Sequence, residues 1–235
     1  MKKIVSTILA ATLAFTVSAC DNGNVVSPES VANGSEQQAL AMSGEDHEAQ
    51  VNETLEILQN ASSIRLKKDF ISWGDHWTVY ADGEVVGNVH GRPIRMLEVY
   101  EFTNTNGVLI ASEEENWKIV NATANLKDWQ GNQIGRIEQE IFTMLAKLRI
   151  YRGDKQVGAI DQKFDFGMNA QIVGTSNLPQ WNLKGKVFTM GADLTLTRAT
   201  DDASITPMEA IWSSLILYEI TSSDSSSSSS KNSSK

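Results

Sequence analysis

"SITPMEAIWSSLILYEITSS", residues 204–223, is the stretch on which the fold turns. From Met208 to Ile220 most side chains are apolar, and on a helical path they point to every side. A surface helix shows one apolar stripe instead. Thr206 can cap a helix, Pro207 suits its first position, and Glu209 stands three residues after the cap. That is a capping box, so the segment reads as a helix start despite Ile216 and Tyr218. Running to about Ile220, the helix would be roughly 21 Å long, short of the ~30 Å hydrocarbon core of a bilayer. Trp212, Leu215, Ile216 and Leu217 point in several directions, which suits a helix enclosed by protein.

The enclosure has to come from upstream. "VYADGEVVGNV" (79–89), "LKDWQGNQIGRI" (126–137) and "IYRGDKQVGAI" (150–160) can be laid on one another. Each is an alternating strand, a polar turn with glycine, then an apolar residue, glycine, any residue and an apolar one. The matched glycines are Gly87, Gly135 and Gly158. A weaker copy lies midway in "YEFTNTNGVLIAS" (100–112), with Asn106–Gly107 as the turn and Ala111 in the glycine slot. The unit is a β-hairpin recurring about every 24 residues, with the Gly, Asn and Asp chemistry that tight hairpins need.

Further strands are expected at Asp69–Ser72, 95–102, 116–123, 169–174, 181–190 and 193–198, where Val, Ile, Thr, Tyr and Trp dominate. In "EQEIFTMLAKL" (138–148) helix and strand periods both fit. Alternation gives each strand a wet face and a dry face. A long meander of that kind must close or cover its edges. A closed antiparallel barrel too wide for its own side chains would take the C-terminal helix as its core.

A meander of gapped hairpins ending in a hydrophobic helix resembles the tubby-like barrel superfamily, and within it the LURP-one-related proteins, with phospholipid scramblases as cousins. The pieces that carry the resemblance are the hairpin glycines, "VGAIDQKFDFGMNAQIVG" (157–174), "WNLKGKVFTM" (181–190) and the helix. It covers residues from about 67 to 220 and implies a mainly β fold of about twelve strands around a buried C-terminal helix. The chain lacks the proline-rich arm, cysteine cluster and calcium loop of the scramblases, so scrambling is not implied.

The N-terminus reads as an address. "MKKIVSTILAATLAFTVSAC" has the Lys2–Lys3 pair, apolar run and small residues of a secretory signal (1–19). Its junction "VSAC" resembles the lipobox of bacterial lipoproteins, in which the cysteine is acylated. Cys20 is the single cysteine, so it is the expected lipidation site, and no disulfide is available to the fold. Several acyl chains give stable membrane anchoring. Asp21 resembles the inner-membrane retention signal of enteric-type lipoproteins, with the outer membrane as the other destination. Residues 20–64 read as an acidic tether: from 21 to 64 there are eight acidic residues and no Lys or Arg. A flexible segment of that length spans on the order of 35 Å. Val51, Leu55 and Leu58 have helical spacing, so the tether's end is expected to form a short helix packed on the domain. The barrel domain is expected at 65–221, followed by a disordered serine-rich tail at 222–235.

The chain carries a formal charge of −9, most of it in the tether. The remaining domain is near neutral, and nothing in it suggests a nucleic-acid partner. No G-x-S-x-G elbow, paired-cysteine or H-x-x-x-H motif is present. His76 in "WGDHW" and His90 in "NVHGRP" are the only domain histidines and read as turn residues; a base or a metal ligand is their alternative role. Glu113–Glu114–Glu115 reads as a charged turn, and Asp161 and Asp165 as solvated strand positions. Lys147, Arg149, Arg152 and Lys155 are the candidate phosphate- or lipid-binding residues, if Lys147 and Arg149 share a strand face. No cofactor is expected. The function expected is a non-catalytic binding or scaffolding module, held to the bacterial envelope through Cys20, for phospholipid or an envelope protein. An unrecognised hydrolase, and an assembly lipoprotein docking through a strand edge, are the alternatives.

Overall fold

A computed structural model describes residues 44–69, 75–94, 97–117, 122–140, 147–162, 168–186, 191–201 and 204–228. Helix α1 (Gly44–Asn60) leads into twelve strands. They are β1 (Ser63–Lys68), β2 (His76–Ala81), β3 (Glu84–Ile94), β4 (Leu97–Asn104), β5 (Leu109–Trp117) and β6 (Ala122–Asp128). There follow β7 (Gln133–Glu140), β8 (Lys147–Arg152), β9 (Lys155–Gln162), β10 (Met168–Gly174), β11 (Pro179–Lys186) and β12 (Asp193–Arg198). Helix α2 (Pro207–Ser228) ends the described chain. Every strand pairs antiparallel with its sequence neighbours, and β1 pairs with β12, so the barrel is closed. A closed ring leaves no strand edge for a partner to extend.

The alternation sets inside from outside. Ile64, Leu66, Val79, Phe102, Leu126, Ile137, Leu148, Ile150, Ile172 and Leu196 are buried and belong to one core with α2. From Pro207 to Leu217 every residue of α2 is buried, with no exposed face. The helix therefore runs inside the barrel and replaces the water that so wide a ring would hold. The outer wall carries ion pairs, among them Arg65–Asp193 at 2.5 Å, Arg92–Glu101 at 2.9 Å, and Lys127–Glu114. A membrane-spanning barrel needs an apolar outer band, and these described strands present the reverse. No described helix is long and apolar enough to cross a membrane.

The capping box forms as read. Thr206 Oγ1 accepts from the Glu209 N–H at 3.2 Å, and Glu209 Oε2 accepts from the Thr206 N–H at 2.8 Å. The helix continues to Ser228, past the expected end near Ile220 and into the stretch read as tail. Thr221 and Ser222 hydroxyls bond back to the Leu217 and Glu219 carbonyls, at 2.7 and 3.1 Å, which lets the polar residues keep the helical path.

Three strand expectations move. β1 lies before Asp69, and 70–72 are outside the described residues. Residues 116–123 hold the end of β5 and the start of β6, and 118–121 lie outside the described residues. The ambiguous 138–148 contains the end of β7 and start of β8; 141–146 lie outside the described residues.

The repeat has a physical cause that the glycines only partly disclose. Five hairpins carry a register shift just past their turns, which leaves Val86, Ile110, Ile134, Val157 and Gln180 as extra residues. These are β-bulges, one per hairpin, at intervals of 23 or 24 residues. Each bulge bends its strand and so closes the ring. The glycine slot follows the bulge. A Cβ on Gly87 would sit 2.1 Å from the Thr103 carbonyl oxygen, and one on Gly158 would sit 2.3 Å from Ile205 Cδ1. The fifth copy escapes sequence comparison because Trp181 fills the slot.

Candidate functional site

The expected tether residues from Gly44 onward are part of the packed unit. α1 buries Val51, Thr54 and Leu58 against the barrel end that holds the five bulged hairpins. Gln50 Oε1 accepts from Asn104 Nδ2 at 3.3 Å and Asn106 Nδ2 at 2.9 Å. At the other end of α1, Arg198 donates to the carbonyls of Ala61 at 3.1 Å and Gln59 at 2.6 Å, supplying a cation where the helix dipole favours one. His47, placed in the tether by sequence, stacks on Trp129 with ring centroids 4.5 Å apart and bonds the Leu109 carbonyl at 3.2 Å.

Helix α1 does not cover the whole ring. Among the bulged residues, Val86, Ile110, Val157 and Gln180 are buried, whereas Ile134 is 43% exposed. Ile134 faces Leu55 of α1, itself 39% exposed, across a cleft of about 360 Å³. Val51, Ile110, Trp129 and Met208 complete its apolar walls, with Asn52, Gln59 and Asp128 also lining it. Volume and lining match those of small-molecule sites. Burial works to raise the Asp128 carboxyl, but bonds from the Asn132 side chain and from the N–H groups of Asn132 and Gln130, at 2.8 and 2.9 Å, hold it below its ordinary range. The sequence marked Leu55 as apolar and helical, but nothing in it tells that Ile134 is the one bulge left open.

The opposite mouth is acidic. Glu113 and Glu115 lie on β5, not in a turn, and both are buried on its inward side. Strand alternation puts residues two apart on one face, and barrel closure turns that face inward. Glu219 of α2 joins them. Burial, then the neighbouring Glu115 charge, pushes its carboxyl up to about 10, although the Tyr100 hydroxyl pulls the other way. The Tyr100 hydroxyl lies within 3.1 Å of Asp75 as well, and Asp75 pairs with Lys68 at 2.5 Å. The ammonium of Lys68 sits 5.1 Å from the centre of the Tyr218 ring.

The basic candidates are dispersed. Lys147 and Arg149 do share the outward face of β8, with Arg149 paired to Glu140 at 2.7 Å. Arg152 turns to the helix start, where it grips Glu209 through two bonds of 2.7 and 2.6 Å, and donates to the Ser204 carbonyl at 2.8 Å. Lys155 is exposed opposite Arg152 across the β8–β9 hairpin. In the basic stretch "GRPIR" (91–95), Arg92 pairs with Glu101 and Arg95 lies outside the described residues. Cys20, the signal and Asp165 also lie outside them. Trp77, Trp181 and Trp212 are core residues.

His76 and His90 stand opposite each other on β2 and β3 with ring centroids 4.1 Å apart, and His76 Nδ1 is bonded to Asp69. The outward row continues through Glu101 to Ser112. Ser112 is two strands from His90, or about 10 Å at the usual spacing, which is beyond reach for nucleophile activation. The row therefore lends the hydrolase reading no catalytic geometry. No family model matches the chain, and no curated protein gives a significant match.

Proposed function

We propose that the chain is a lipid-anchored bacterial envelope protein of the tubby-like class, and that its barrel is a non-catalytic module that binds the acyl chain of a phospholipid in the cleft between α1 and Ile134. The observation that carries this reading is that α2 fills the barrel interior while one bulged position of the ring is left apolar and open. A partly enclosed cleft of about 360 Å³ with mainly apolar walls rewards a hydrocarbon chain. The acidic residues of α1 disfavour an anionic headgroup nearby, so a zwitterionic lipid is the better fit. Lipidation of Cys20 would supply the proximity, since only 23 residues lie between it and Gly44.

The anchor is tested by Cys20→Ser, which should release the protein from membranes or leave it unprocessed; unchanged mass and fractionation would refute lipidation. The cleft is tested with a photo-crosslinking residue at Leu55 in cells. An adduct of phospholipid mass, lost in Ile134→Asp, supports the reading. An adduct to an envelope protein would replace the lipid by a partner, and no adduct at all would remove the cleft as a binding site.

A further inference from the structure

Across the outer wall of β2 and β3 lies a row that the barrel does not need for packing: Asp69, His76, His90 and Glu101, each opposite the next. The Gly91 N–H donates to the Asp75 carbonyl at 2.7 Å. Residues 75 and 91 are thus a hydrogen-bonded pair, and His76 and His90 form the adjoining non-hydrogen-bonded pair, whose side chains stand closer. Their rings are 4.1 Å apart and tilted by 45°. Two imidazoles held this way, one with its Nδ1 on a carboxylate, form the nitrogen half of a metal site with its outer carboxylate already in place.

The geometry points to a surface site for a divalent transition metal, held by the Nε2 of His76 and a ring nitrogen of His90, with Asp69 orienting His76. Asp69 holds the Nδ1 of His76 and so leaves Nε2 as its ligating nitrogen. The more exposed His90 needs a small rotation for both nitrogens to come within about 2.0–2.1 Å of one ion. Among the described residues no three His, Cys, Asp or Glu side chains are placed to hold an ion together. Water therefore completes the shell, or Glu101 does after leaving Arg92, to which it is bonded at 2.9 Å. Two imidazoles select zinc, nickel or copper over magnesium and calcium. The open shell makes the site exchangeable.

The test is titration of untagged mature protein with Zn²⁺ or Ni²⁺ near pH 7.5, read by calorimetry and by histidine NMR signals. One equivalent should bind, shifting both His76 and His90, with no response to Mg²⁺ or Ca²⁺. His76→Ala and His90→Ala should each weaken binding at least tenfold. Asp69→Asn should weaken it by roughly 10–100-fold, and His47→Ala should leave it unchanged. Binding that survives the His76→Ala/His90→Ala double variant, or no saturable binding below millimolar metal, would overturn the assignment.

Discussion

Arg152 and Glu209 join the β8–β9 hairpin to the first turn of α2 through a two-point contact, with Nε and Nη2 each donating to one carboxylate oxygen at 2.7 and 2.6 Å. Glu209 is buried and also closes the capping box with Thr206, so one carboxylate both starts the helix and registers it against the wall. Charge assistance from Glu209 holds the guanidinium above its ordinary range despite partial burial. Arg152→Ala would leave the buried carboxylate with the capping bonds alone. The guanidinium side is partly solvated, so the expected loss is about 1–3 kcal/mol, less than for a fully buried pair. A lower urea midpoint with unchanged slope would show it; an unchanged midpoint would mean the clamp contributes nothing.

The glycine slots behind the bulges are not equivalent. At Gly87 a methyl group would collide with backbone, the Thr103 oxygen at 2.1 Å. At Gly158 it would meet the movable Ile205 side chain at 2.3 Å but also the Val173 carbonyl at 2.7 Å. At Gly135 the nearest atom is 3.2 Å away. Alanine should therefore cost most at Gly87, less at Gly158 and least at Gly135. Overpacking of this kind costs about 1–3 kcal/mol. Thermal melts of the three variants give the order, and equal losses would show that the slots serve strand propensity instead of close approach.

Those slots also explain how far the sequence could be read. Matching Gly87, Gly135 and Gly158 made the hairpin period visible, and the capping box at Thr206 with the all-round apolarity of α2 gave the barrel its core. The bulges stayed hidden because an inserted residue leaves no mark when its side chain is apolar like its neighbours, as at Val86 and Ile110. Glu113 and Glu115 looked solvated because three adjacent acids suggest a turn; alternation alone cannot say which face of a strand closes inward. The cleft was illegible for a related reason. It exists because α1 leaves one member of a ring uncovered, and coverage is a property of the assembled ends.

The acidic mouth makes stability depend on pH in a direction opposite to that of most surface carboxylates. Glu219 is raised to about 10 by burial and then by Glu115, with a smaller push from Glu113. Tyr100, Asp75 and Lys68 complete the charged and titratable network described around it. The folded state thus binds a proton that the unfolded state releases from the ordinary carboxyl range upward. Stability falls as pH rises through that window. Asp82, Asp128 and Asp193 are lowered and act only in acid, and His90 acts below its ordinary value. Between pH 7 and 9 the slope should therefore belong to Glu219. Denaturation midpoints should drop across that range, and Glu219→Gln should flatten the trend. A flat wild-type profile would show that the mouth is hydrated enough for the carboxylate to ionise.

A paired substitution separates the core of the barrel from its site. Leu215 is buried in the middle of α2, where an aspartate would have neither water nor a cation to meet. Leu215→Asp should unfold the domain, a loss of more than about 4 kcal/mol, seen as loss of cooperative melting. Ile134 sits on the same barrel scaffold and is also apolar, yet it is 43% exposed at the one open bulge. Ile134→Asp keeps its charge in water and should shift the melting midpoint little while abolishing the Leu55 crosslink. Both are single apolar-to-acid changes, so their difference measures enclosure alone. A folded Leu215→Asp protein would mean that α2 lies outside the barrel. A strongly destabilised Ile134→Asp would mean that the exposed isoleucine is packing, and that the cleft is closed in solution.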